Sequence, residues 1–467
     1  MEIPILNGIF TDNAPSLRVS YPINLVPVVE PSGISNGYLR PADGIVSLGT
    51  GSGVDRGGIN WNNVCYRVMG SKLVTIGSDG TETVLGDVGG TTALVSMDYS
   101  FDRLAIASNN NLFYWDGSTL TQVTDGDLGT CLDVIWIDGY FMSTDGEFIV
   151  VTELADPTAV NPLKYGSSEI DPDPIEALLK NRNEVVALNR YTIEYFRNIG
   201  GSVFPFQRIE GAQVQKGCVG THACCLYIEA IAFVGGGRNE QNSIYIASNG
   251  QAQKISSRSI DKILEGYTET QLSTIKVEAR NDKSSQLLYI HLPDQTLVYD
   301  HAASQAVGDR VWFILSSGIG SISQYKARNF VYCYNQWLVG DPTSSSVGYL
   351  DETISTHWGS AVTWEFATSM VYNGSMGAVL HELELVALTG RVDLSAAPTI
   401  STSYTLDGLS WSQNRSISAG TVGDRLKRLL WSRQGMMRNF RAQRFTGDSS
   451  AHLTFVRLEA QIEALTR

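Results

Sequence analysis

The chain has 467 residues, 43% of them hydrophobic, with 45 glycines and a formal net charge of −14. That length holds a large core and a second domain, and the acidity excludes a general DNA-binding surface, which needs Lys and Arg to neutralise phosphates. No run of about 20 apolar residues is present, so no membrane span is expected.

The opening MEIPILNGIF has Glu2 and no basic start, and does not read as a signal peptide. Residues 1–43 carry Pro4, Pro15, Pro22, Pro27, Pro31 and Pro41. Proline fixes φ and removes a backbone donor, so this segment reads as an extended arm anchored by Tyr21, Ile23, Leu25, Val26 and Val28. It lies across its own domain or across a neighbouring subunit.

From residue 44 to about 360 a hairpin pattern recurs. Its pattern stretch is 185–196, VVALNRYTIEYF, where apolar residues alternate on both sides of Asn189 and Arg190. Similar turns centre on Gly70, Asn110, Asp145-Gly146, the Gly235–Gln241 loop, Pro293-Asp294 and Asn335-Gln336. The repeat is roughly 45 residues, the period of propeller blades. Extra strands fit between hairpins at 54–60, 93–97, 132–137 and 219–227, and the Pro-rich stretch 155–180 reads as a structured surface loop.

At Ala361 the repeat ends and longer alternations begin: Val362, Trp364 and Phe366, then Val456, Leu458, Ala460 and Ile462. The expected fold is all-β: a propeller of about seven blades (six to eight) over 44–360, then a β-sandwich-like domain over 361–467. The second domain holds a basic run, Arg415, Arg425, Lys427, Arg428, Arg433, Arg438, Arg441 and Arg444, against the single acid Asp424. It is a solvated face, a contact with an acidic surface of another subunit, or a contact with passing DNA. Trp431, Met436, Met437 and Phe440 interleave with the charges and favour an interface.

No pattern of catalytic or metal-binding residues stands out in the sequence. Cys218, His222, Cys224 and Cys225 lack the paired spacing of a zinc site and lie in a strand-like run. All six cysteines read as buried free thiols. Gly235-Gly236-Gly237-Arg238 has no following Lys-Ser/Thr and no helix, so it reads as a hairpin tip and not a phosphate cradle. Asp407-Gly408 is an ordinary hairpin turn. Neither the six histidines nor the scattered carboxylates form a catalytic pair, and no metal or cofactor is expected.

Several stretches occur together and in order: Ser35-Asn36-Gly37-Tyr38-Leu39-Arg40, Tyr66-Arg67-Val68, Thr192-Ile193-Glu194-Tyr195-Phe196, Val214-Gln215-Lys216-Gly217, Gly250-Gln251-Ala252 and Ile290-His291-Leu292-Pro293. This set resembles the packaged-DNA stabilisation proteins, or tail hubs, of short-tailed bacteriophages of the Salmonella-phage type. It is strongest over about 35–315. The resemblance implies a structural virion protein with no catalytic residues. It implies a homo-oligomeric, hexameric ring below the portal and its adaptor, which retains packaged DNA and joins the tail needle and the receptor-binding tailspikes. DNA would pass without sequence-specific binding, and assembly would occur in the bacterial cytoplasm. The competing readings are a propeller glycosidase acting on host polysaccharide, which needs converging carboxylates, and a propeller scaffold unrelated to phage.

Overall fold

The computed structural model describes residues 2–3, 5, 21–30, 34–154, 156–368, 370–374, 376–392, 398–408 and 410–465. The stretch around Asn189 forms strands Glu184–Asn189 and Ile193–Asn198, paired antiparallel with Val186 opposite Tyr195. Flanking strands Ile175–Asn181 and Phe206–Arg208 complete a four-stranded sheet.

Seven sheets of this kind, six of four strands and one of five, follow one another around an axis. Their innermost strands are Asp55–Trp61, Ser96–Tyr99, Asp133–Ile137, Ile175–Asn181, Cys224–Tyr227, Lys276–Asp282 and Arg328–Cys333. Each touches the next, and the last touches the first. This is a seven-bladed β-propeller. Its apolar core lies between the faces of successive blades: Cys65, Met69, Val74 and Ile76 of blade 1 pack on Val331, Leu338 and Val347 of blade 7.

An innermost strand is a sheet edge whose N–H groups need partners. Carboxylates of neighbouring blades supply several. Asp98 accepts from Trp136 N at 2.7 Å, Asp133 from Leu178 N at 2.8 Å, and Glu278 from Asn329 N and Phe330 N at 2.8 and 2.9 Å.

The seam between blades 7 and 1 is closed twice. Strand Gly44–Thr50, from before blade 1, is the outer strand of blade 7, with Ile45 opposite Leu350. Inside, the buried Arg67 donates to Asp55 at 2.9 Å and to Asn329 O at 2.9 Å, and Asn329 Nδ2 donates to Asp55 at 2.5 Å. On the rim the backbones run so close that a Cβ on Gly49 would lie 2.4 Å from the Gly80 carbonyl oxygen.

The remaining strands form two facing sheets. One contains Ala378–Leu388 between Thr454–Ala464 and the edge strand Leu429–Met437. The other contains Phe440–Asp448 between Thr363–Ala367 and Thr399–Thr405. Trp364, Phe366, Phe445 and Phe455 fill the space between them. This is the β-sandwich.

Four details differ from the sequence reading. The hairpin at Asn335 joins the first and second strands of blade 7, whereas the other six turns join second and third strands. The stretch 155–180 is not a single loop: it contains Gly166–Ser167, the outer strand of blade 3, and the inner strand Ile175–Asn181 of blade 4. Short helices occur at Arg258–Glu265, Glu269–Leu272 and His301–Val307, each opened by a side-chain cap, Ser257, Thr268 and Asp300 respectively. The segment 1–43, of which residues 1, 4, 6–20 and 31–33 lie outside the described residues, enters the sandwich. Strand Leu25–Val28 pairs with Tyr38–Pro41, Leu39 stands opposite Phe455, and Ile3 opposite Leu458. Both ends of the sequence therefore build one sheet.

The sandwich is tied to blades 6 and 7. Ile314 N donates to Pro22 O at 2.8 Å and Thr363 N to Gly318 O at 3.0 Å, and Val26 packs with Tyr289 and Val298 of blade 6 and Val339 of blade 7.

Candidate interaction surface

The basic run lies at one corner of the sandwich, where the edge strands of the two sheets meet. Strand Arg415–Ser418 borders Leu429–Met437 there. Trp431 turns inward and its Nε1 donates to Arg415 O at 2.9 Å, while Arg415 Nη1 donates back to Arg433 O at 2.8 Å. Charged side chains on an edge strand discourage unwanted strand pairing.

The eight basic residues have different surroundings. Arg415, Arg425, Lys427, Arg428, Arg433 and Arg438 are exposed. Arg428 grips Glu384 with two bonds, at 2.7 and 2.6 Å, which raises the guanidinium pKa and lowers that of the carboxyl. Arg444 is half-buried over the Trp411 ring, 4.2 Å from its centroid, and donates to Ser403.

Arg441 is not a surface residue, and its assignment to the interaction set is corrected. It is buried in the sandwich, where burial pushes its guanidinium pKa down to about 10. The ring of Tyr404, 3.8 Å away, Gln434 O at 2.6 Å and Gln443 Oε1 at 2.9 Å take its donors. Strand alternation explains this: Arg441 follows the turn at Arg438-Asn439 and points inward. Of the interleaved apolar residues, Trp431 and Met437 belong to the core and Met436 is exposed.

Just before the edge strand, the loop 420–428 forms a firm knob. Asp424 accepts from Thr421 N and Oγ1 at 2.9 and 3.0 Å, Gly423 N donates to Gly390 O at 3.0 Å, and Thr389 Oγ1 donates to Asp424 O at 2.7 Å. These bonds hold Leu426 out at 96% exposure between Arg425 and Lys427, with Val422 at 75% beside them. The sequence reading missed these two apolar residues because it followed the charges. An apolar residue inside a Gly/Asp-rich turn, where no core position is available, was the signal.

Among the described residues no group of three or more His, Cys, Asp or Glu is placed to hold a metal, and no helix is long and apolar enough to cross a membrane. All six cysteines are free; five are buried and Cys225 is half-buried.

Comparison with known proteins bears on both bodies. A family model described as bacteriophage P22 Gp10, beta-propeller, matches residues 1–355. A second, bacteriophage P22 Gp10, beta-sandwich, matches residues 363–463. The tail hub protein gp10 of Salmonella phage P22 is 30% identical over 460 residues, 94% of each chain. Among solved structures, the N-terminal domain of Nup159 is 9% identical, with 72% of this chain and 99% of that chain covered and a TM-score of 0.42. The Pan2 WD40 domain of Neurospora crassa is 8% identical, covering 66% and 95%, with a TM-score of 0.41.

Proposed function

Because the chain belongs to the bacteriophage P22 Gp10 family, it is a structural tail hub protein of a short-tailed phage, a virion component and not an enzyme, and we propose that it works as one subunit of a closed ring that holds packaged DNA inside the head. The family assignment displaces the glycosidase and the non-viral scaffold readings.

The ring stands below the portal adaptor and carries the needle and the receptor-binding spikes. It is assembled in the bacterial cytoplasm, and the family resemblance implies six copies. The single observation that supports this reading is the rigid junction between two unlike bodies. A propeller tied by buried hydrogen bonds to a sandwich is a stiff, asymmetric wedge, and stiff wedges with unlike sides close by heterologous contacts. An acidic wall suits a conduit over which DNA slides, because it adds weak repulsion and no grip.

We also place the division of the chain near 360, with the strands Leu25–Val28 and Tyr38–Pro41 and residues Glu2–Ile3 serving the sandwich. The exposed arginines of the sandwich corner, with Lys427, are its contact to an acidic neighbour. Electron microscopy of the purified protein mixed with the portal and adaptor of its own phage tests the reading. Rings coaxial with the adaptor are expected, and monomers that ignore the adaptor would contradict it.

A further inference from the structure

The propeller has a face whose apolar turns no described residue covers. In blades 2 to 5 the turns between first and second strands, and between third and fourth strands, leave that face. Phe101 stands at one tip at 92% exposure, edge-on to Trp136 at 5.7 Å. Leu154 beside Gly139, Ile199 next to Asn198 in sequence, and Ile228 are exposed on the neighbouring tips. Contacts between blades hold these tips in place: Asn198 Nδ2 donates to Asp138 at 3.1 Å, and Asn181 Nδ2 to Glu229 O at 3.5 Å. Acids accompany the apolar tips. Asp102 follows Phe101, Asp156 lies two positions after Leu154, Asp138 is bound to Asn198, and Glu229 follows Ile228. Arg103 pairs with Asp102 at 2.7 Å, and Arg182 and Arg197 stand nearby, while Asp138 and Glu229 keep their carboxylates exposed.

The sandwich knob is the counterpart. Its apolar tip, Leu426, is flanked by bases, where the propeller tips are flanked by acids. The two surfaces also lie on different sides of the molecule: the sandwich hangs from blades 6 and 7, and the apolar turns belong to blades 2 to 5. Within one chain the knob and these turns are both left exposed and do not cover each other. They can meet between copies, and repeated contacts of that kind run head to tail around a ring.

We propose that the knob around Leu426 of one copy seats on the turn face of blades 2 to 5 of the next copy. This rests on the ring reading above and names the contact that closes it. The apolar tips supply the buried centre of the contact, and Arg425 and Lys427 face Asp138 and Glu229 at its border.

The test uses tailed particles of the phage that encodes the chain. A photocrosslinking benzoylphenylalanine is placed at position 426 in the full-length protein, half of it isotopically labelled. Irradiation is expected to give a dimer of this chain whose crosslinked peptides join label to non-label and fall in the turns at 99–102, 138–139, 198–204 or 226–229. Arg425→Glu with Lys427→Glu should lower the dimer yield several-fold. Adding Asp138→Lys and Glu229→Lys should restore it. Crosslinks to another virion protein, or to the sandwich of the next copy, or no dimer at all in particles that hold several copies, would overturn this contact and leave the ring standing. Particles that hold one copy, or none, would instead overturn the ring.

Discussion

Asn24 and Ser316 exchange two hydrogen bonds across 292 positions of sequence: Asn24 Nδ2 donates to Ser316 O at 2.8 Å, and Ser316 N donates to Asn24 Oδ1 at 3.0 Å. The same Nδ2 donates to Thr363 O at 2.7 Å. One buried amide thus joins the N-terminal segment, blade 6 and the first strand of the sandwich. Asn24 has φ of 54°, a conformation that asparagine tolerates better than most residues.

Asn24→Ala leaves three backbone groups without their partner, and each unsatisfied buried group costs about 1–3 kcal/mol. The variant is expected to unfold at lower denaturant and to be cut sooner by protease between residues 352 and 362. Unchanged protection there would contradict a junction held by this residue.

Arg441 and its exposed neighbours should separate in a stability measurement. Arg441→Ala removes three charge-assisted bonds and the stacking on Tyr404, and is expected to cost about 2–3 kcal/mol. Arg425→Ala and Arg438→Ala touch little and should stay within about 0.5 kcal/mol. Thermal unfolding of the three variants, side by side, decides this.

The hairpins were readable because each packs one face against a neighbouring blade, so apolar residues alternate over short distances. The strand that closes the ring was not readable as such. Gly44–Thr50 pairs with Ser346–Asp351, about 300 positions away, and local periodicity carries no record of such pairing. The same holds for Leu39 opposite Phe455. The basic run was visible, but its division into buried Arg441 and exposed Arg438 depends on a two-residue turn whose place composition does not mark. Phe101 was hidden for another reason: an aromatic residue is expected in a core, and here it caps a turn.

Acid should act on the seam between blades 6 and 7. Burial pushes the Glu278 carboxyl up, but Lys276, His291 and the N–H groups of Phe330 and Asn329 together draw it down to about 2 from an ordinary 4.5. A carboxyl lowered by folding adds stability above its unfolded pKa and loses it as pH falls toward the folded value. The loss between about pH 4.5 and 2 is on the order of 3 kcal/mol. Asp133 works in the opposite direction. Burial raises it to about 6, so its contribution is complete below an ordinary 3.8 and is lost as pH rises through 6. The Glu278 part is therefore read as the difference between the wild type and Glu278→Gln. The variant should be weaker at pH 7 and nearly equal to the wild type near pH 2. A constant gap across that range would contradict the assignment.

The cysteines of blade 5 are packing groups. Cys218 Sγ donates to Gly220 O at 3.2 Å and Cys224 Sγ to Thr221 O at 3.7 Å. Replacing both by serine exchanges small apolar groups for more polar ones and should cost about 1–3 kcal/mol. Chelator treatment of the wild type should leave its melting temperature where it was. One zinc per chain in the purified protein would contradict this.

The proposed ring seals a filled head. The most direct measurement is the DNA content of particles made by a phage lacking only this gene, followed over hours after lysis. Heads are expected to fill normally and then lose their DNA, with retention restored when the chain is supplied in trans. Tailed particles that stay filled and infectious without it would contradict the account.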